Sequence, residues 1–234
     1  MLQTFTRMGG LQKGKSAGGT MPTLVAVGGA GQGSGNITPN LPTGTAQDDI
    51  LVMFTETGPS EPVQPPSGWF DLGVPIGNGI SQLGAFWKRA GSSESAPTVL
   101  DSGNHTTAVI VGVRGCITTG SPWDVFITNT NVGNGGTATL SDRISSITTQ
   151  VANCFVLGAV SANSATASAY FSGWAASGLG SVTEIQDLIS ASPVRHIGIV
   201  TGTKAVAGAT GPMRNITLNT ANFGGAFMGA LMPV

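Results

Sequence analysis

Apolar positions in this chain fall in short runs rich in β-branched and aromatic residues, at 23–27, 50–54, 83–87, 108–113, 154–160, 197–200 and 226–231. Between them lie clusters of Gly, Pro, Asn, Ser and Asp, such as Thr57-Gly58-Pro59-Ser60, Asp101-Ser102-Gly103-Asn104 and the stretch 131–136. These are turn residues, because they supply positive φ, fix φ, or bond their own backbone. Short strands broken by turns at intervals of roughly ten residues predict an all-β protein with two packed antiparallel sheets, a jelly-roll-like β-sandwich. One segment reads as helix. Ser181-Val182-Thr183-Glu184 fits a capping box, Ile185, Leu188 and Ile189 form an apolar stripe, and Pro193 follows.

The first residues depart from this pattern. Residues 1–21 contain Gly9, Gly10, Gly14, Gly18 and Gly19, which oppose helix, and Arg7, Lys13 and Lys15, while no acidic residue precedes Asp48. Leu2, Phe5, Met8 and Leu11 recur every three residues along them. The segment reads as an extended assembly arm, with these four apolar and three basic side chains as its contacts. Residues 22–234 then form one sandwich domain, and no sequence repeat is visible within it.

Composition sharpens the picture. Charged residues are 9% of the chain, against about 25% in an average soluble domain, while hydrophobic residues reach 40%. Disorder requires the reverse. A surface covered mainly by Ser, Thr and Asn suits permanent contact with neighbours, and a net charge of −1 gives no argument for nucleic acid or an anionic membrane as partner. The uncharged stretch 144–183 alternates in polarity and holds Asn153 and Asn163, so membrane insertion is not expected. Cys116 and Cys154 lie in apolar runs and read as buried free thiols, with a disulfide as the alternative.

Candidate chemistry is sparse. Residues 9–16, Gly-Gly-Leu-Gln-Lys-Gly-Lys-Ser, match the phosphate-loop pattern letter by letter. That chemistry needs a buried strand before the loop and a helix after it, and neither flank supplies one. The glycine run 28–35 lacks dinucleotide-loop spacing and reads as an inter-strand loop. His105 and His196, the only histidines, belong to no metal-ligand spacing, and Asp48, Asp49, Asp71 and Asp101 sit beside turns, where Asx capping accounts for them. No catalytic residue, cofactor or metal is expected. Of the four tryptophans, Trp87 reads as core and the others as covers of strand ends; in a sharper reading Trp123 or Trp174 offers a flat face for sugar stacking.

From about Thr23 onward the chain resembles tailed-phage virion structural proteins of the minor-tail or decoration type. The resemblance rests on residues 48–54 (Asp-Asp-Ile-Leu-Val-Met-Phe), 65–69 (Pro-Pro-Ser-Gly-Trp), 85–90 (Ala-Phe-Trp-Lys-Arg-Ala) and 108–115, which ends in Arg114-Gly115. It implies a non-enzymatic component of the virion, made in the cytoplasm of a bacterial host. The expected place is tail, baseplate, fibre attachment or capsid decoration, and the expected partners are further copies of itself and other virion proteins. The alternative is a carbohydrate-binding adhesin module of a tail fibre or tail tip, whose partner is a host surface glycan. Magnesium-ATP and magnesium-GTP titrations should show no binding, with Lys15→Ala indistinguishable from the parent. A micromolar dissociation constant lost in that variant would restore the phosphate-loop reading.

Overall fold

Alternating apolar runs and turns do fold as strands. A computed structural model describes residues 19–58, 61–73, 76–77, 81–103, 105–130, 141–163, 171–191, 194–217 and 222–234. Among these residues there is no helix. The first half of the chain supplies β1 (Thr23–Val27), β2 (Gly31–Gly33), β3 (Ile50–Thr57), β4 (Phe70–Asp71), β5 (Ile76–Gly77), β6 (Gln82–Arg89) and β7 (Thr106–Arg114). The second supplies β8 (Trp123–Thr130), β9 (Ser141–Ile144), β10 (Thr148–Thr149), β11 (Cys154–Asn163), β12 (Phe171–Ala175), β13 (Gly180–Ala191), β14 (Val194–Lys204), β15 (Gly208–Ala209), β16 (Met213–Thr217) and β17 (Asn222–Leu231).

Two antiparallel sheets form the sandwich. One runs β1-β7-β3-β6-β4, with β2 on β7 and β5 on β6, and the other runs β13-β14-β11-β17-β8. Ile50, Val52 and Phe54 of β3 meet Phe155, Leu157 and Ala159 of β11 in a shared core with Val109, Val111, Ile197, Ile199 and Phe227. The outer faces are covered too. Leu51, Met53, Phe86 and Ile110 lie under Ile37, Val63, Trp69 and Val99 from loops, while Val156, Val160, Val200 and Met228 lie under Ile144, Phe171 and Met213 of a third sheet, β12-β16-β9. Burial on both faces explains why β3 reads Ile-Leu-Val-Met-Phe without alternation.

Each main sheet comes from a contiguous half of the chain. A jelly roll passes its strands through both sheets in turn, so this order does not carry the jelly-roll path expected from the sequence. Instead the halves repeat one topology. Read from the edge strand that comes first in the chain, the orders are β1-β7-β3-β6-β4 and β8-β17-β11-β14-β13. Ile50 lies between Val113 and Arg89, and Phe155 lies between Leu231 and Thr203 at the same register position. Both first strands carry a bulge at the same point. Leu24 and Ala26 oppose the adjacent Val113 and Gly112, as Trp123 and Val125 oppose Leu231 and Ala230. β17 packs on β5 and β6, β14 on β3 and β8 on β5, so the two halves face one another across the shared core. The sequence shows no repeat because a β topology needs only apolar character at inward positions, and different side chains provide it in the two halves.

The expected helix within 181–190 is strand β13, paired with β14 from Gly180 to Ala191. Ser181, read as an N-cap, has φ +48°. A bulge between Glu184 and Gln186 sets Ile185 and Leu188 three residues apart yet both against the shared core, which reproduces a helical spacing on a strand.

Gly84 and Gly198 hold equivalent positions on β6 and β14, opposite Thr55 and Val160. A methyl group on Gly198 would stand 2.5 Å from the Phe171 ring. Gly198→Ala should therefore lower stability by about 1–3 kcal/mol through overpacking, and Phe54→Ala by about 3–5 kcal/mol through a cavity. Gly35→Ala, with open space around it, should stay within about 0.5 kcal/mol. Urea midpoints of the three variants check this order.

Candidate functional site

The sandwich buries its charged chemistry at one end. β3 finishes in Thr55-Glu56-Thr57, all buried, and Glu56 has no solvent exposure. Ser81, just before β6, donates its hydroxyl to Glu56 Oε1 at 2.7 Å. From the opposite sheet Arg195, at the start of β14, brings Nη1 to 3.7 Å from the same oxygen. Glu61 lies against Gly58 and Gly103, and His105 pairs with the Thr107 hydroxyl at 3.2 Å. Desolvation pushes the Glu56 carboxyl up to about 8, with Ser81 and Arg195 opposing it and Glu61 adding to it. Burial, and then Arg195, holds His105 below the usual histidine value. The cluster thus keeps a proton on Glu56 at neutral pH and ties the two sheets together. Among the described residues, no group of three or more His, Cys, Asp or Glu side chains is placed to hold a metal ion.

The other end joins segments remote in sequence. Arg114, at the end of β7, clamps the buried Asp49 carboxylate with Nε at 2.8 Å and Nη2 at 2.7 Å, and also reaches the Gly44 carbonyl. Asp49 in turn accepts the Ala46 amide at 2.8 Å. The Pro66 carbonyl accepts the Trp69 amide across a turn in which Gly68 has φ +81°, and the Trp69 ring is delivered to the outer face of the first sheet. Trp87 faces the shared core, and its neighbour Lys88 points away to Glu94 at 2.6 Å.

The sequence candidates fare unequally. Leu2, Phe5, Arg7, Met8, Leu11, Lys13 and Lys15, and the phosphate-loop pattern at 9–16, lie outside the described residues. Trp123 offers no face to a sugar: it is buried in the shared core, 5.6 Å from Phe227 and edge-on to it. The reason is the bulge of β8, which turns it inward. Trp174, on β12 of the third sheet, is half-buried against the core beneath it, 5.9 Å from Phe171, with its indole toward Glu184. Burial first, and Asp187 second, push the Glu184 carboxyl up to about 7. Cys116 and Cys154 are free and buried, and burial raises both thiols to about 12. In the glycine run, Gly31–Gly33 pairs with β7, while Gly28 and Gly31 press on the backbone of Asn40 and Pro39, where no side chain fits. His196 is buried and meets the Phe171 ring edge-on at 6.5 Å.

What the sequence reading missed is an exposed aromatic group. Phe70, 60% exposed, stacks on Trp87 with ring centres 5.0 Å apart, and Phe126 of β8 is also exposed. Phe70 follows the Pro-Ser-Gly-Trp turn directly and opens the edge strand β4, so the signal was an aromatic at an edge strand. Its exposure depends on where the opposite sheet stops. Compared with family models, with curated proteins and with solved structures, the chain matches none.

Because Glu56 ionises near 8 in the folded chain and near 4.5 in the unfolded one, its contribution to stability is complete below about pH 4.5 and is lost as pH rises through about 8. Glu184 acts in the same direction over a narrower window, up to about 7. Urea midpoints should fall from pH 5 to pH 9, and Glu56→Gln should flatten that slope. An unchanged slope in the variant would show that Glu56 is not the group responsible.

Proposed function

We propose that the chain is a non-enzymatic structural component of a tailed-phage virion that packs on neighbouring subunits and uses its first residues as an assembly arm. The observation that carries this reading is how the four resembling segments come together. Short motifs scattered between residues 48 and 115 need not share a location, yet here they build one sheet. Asp49 before β3 holds Arg114 of β7, β6 with Trp87 pairs with β3, and Trp69 covers the outer face. A sheet built from these segments is a natural unit of the resemblance.

Charge supports the role given to the arm. Residues 1–18 carry three basic and no acidic side chains, which leaves seven basic against eleven acidic in the rest of the chain. The segment and the body therefore attract one another, each exposed pair adding only about 0–1 kcal/mol, so apolar contacts and multiplicity of arms supply the remainder. Gly19 is held by the body: its carbonyl accepts Asn153 Nδ2 at 3.0 Å, and it packs on Pro233 and Val234.

Deleting residues 2–18 should leave the urea midpoint of the β body within about 0.5 kcal/mol of the parent and lower incorporation into particles at least tenfold, read by quantitative mass spectrometry of purified virions. Equal incorporation of the truncated chain would refute the arm.

A further inference from the structure

The two open sides of the sandwich are equivalent under the internal repeat, but their side chains differ. On one side, between β13 and β1, the positions hold Thr183, Thr201 and Val27, and Gln32 Nε2 donates across the gap to the Ile189 carbonyl at 3.2 Å. On the other, between β4 and β8, the same positions hold Phe70, Trp87 and Phe126. Phe70 is 60% and Phe126 43% exposed. The Phe126 ring stacks at 25° on Phe227, 6.3 Å away, so this seam opens directly onto the shared core. Among the described residues β8 pairs only with β17, leaving its other edge without a strand. The 145–151 segment bonds the Asp124 and Asn129 side chains of β8 without forming a ladder with it, and exposed aromatics beside a strand edge with no ladder partner form a docking template unless something covers them.

We propose that this seam and the free edge of β8 receive residues 2–8 of a second copy of the chain, added as a β-strand. The choice of a second copy over the chain's own segment rests on the assembly reading above. Three observations select this occupant. In an extended strand Leu2 and Met8 point to one face and Phe5 to the other, so a strand added to this edge brings an apolar side chain to each face, beside Phe126 on the inner face of β8 and Val125 and Ile127 on the outer. The segment is basic and the body acidic. The described chain begins at the end of the sandwich where β8 also begins: Gly19 packs on Pro233, and the neighbouring Met232 amide donates to Pro122, next to the first residue of β8. The preceding eighteen residues reach about 60 Å when extended, more than twice the roughly 26 Å of an eight-residue strand.

Disulfide trapping on the full-length chain tests this. Cysteine is introduced at Gln3, Thr4 or Thr6 in one preparation and at Thr128, which faces Gly73 across the seam, in another. The native thiols are buried and stay silent. Mixing and oxidation should give a linked heterodimer at least tenfold above a control with the second cysteine at Ser177. Phe70→Ser with Phe126→Ser should keep the fold by circular dichroism, and should reduce both the link and particle incorporation at least tenfold. If no position links while deletion of residues 2–18 still blocks assembly, the seam is wrong and the arm survives. A link formed only within one chain, when both cysteines share it, overturns the second-copy assignment. Loss of binding to immobilised glycans in the double variant, with assembly intact, would make the seam a sugar platform instead.

Discussion

Face-to-face packing of the β3 and β11 sheets, through Val52, Phe54, Leu157 and Phe227, is the contact on which the rest of the structure depends. Phe54 and Phe227 meet at 5.5 Å with rings inclined at 59°, and Trp123 adds an edge-on contact to Phe227. Burying such side chains contributes about 1.5–3 kcal/mol each relative to exposure. Because both sheets are also apolar on their outer faces, neither is stable with only its partner. Trp69 and the loops around Ile37 and Val99 cover one, and β12, β16 and β9 cover the other. The long connections of this chain are thus layers of its core.

That layering leaves little room for charge except at the ends. Glu56, Ser81 and Arg195 bridge the sheets at one end, and Asp49 and Arg114 tie β7 to the entry of β3 at the other. The two sites differ in kind. Arg114 remains half in water and forms a two-pronged clamp of good geometry, whereas Glu56 is wholly buried and its arginine stands at 3.7 Å. Desolvation outweighs the attraction there, so the carboxyl holds its proton and its hydrogen bond with Ser81 does more than its charge.

The internal repeat gives the asymmetry of the sandwich its meaning. Two halves with the same strand order, register and bulge should finish their edges alike. One side is closed by Gln32 and lined by threonine and valine, while the other presents Phe70 and Phe126. The halves thus depart from their shared template at exposed aromatic positions, which is what the proposed docking seam rests on.

Much of the architecture was legible in the chain. Runs such as 50–54 and 108–113 marked strands because β-branched and aromatic residues between turn formers have few other uses, and the buried thiols followed from the apolar setting of Cys116 and Cys154. The segment 181–190 was misread because a bulge at Ile185 imitates helical spacing, and a bulge is set by pairing with β14, which local pattern does not contain. Trp123 was misplaced for a similar reason: its rotation into the core follows from the register of β8 on β17. Nothing in the sequence singled out Glu56, and only the meeting of two strand ends from opposite sheets made it a buried acid beside Arg195. Local sequence determined where strands start and stop, since propensity and turn chemistry act within a few residues. The repeat, the buried acid and the open aromatic seam arise from pairings and contacts between segments well separated in the chain, such as Glu56 with Arg195 and Phe126 with Phe227, and those only the tertiary structure decided.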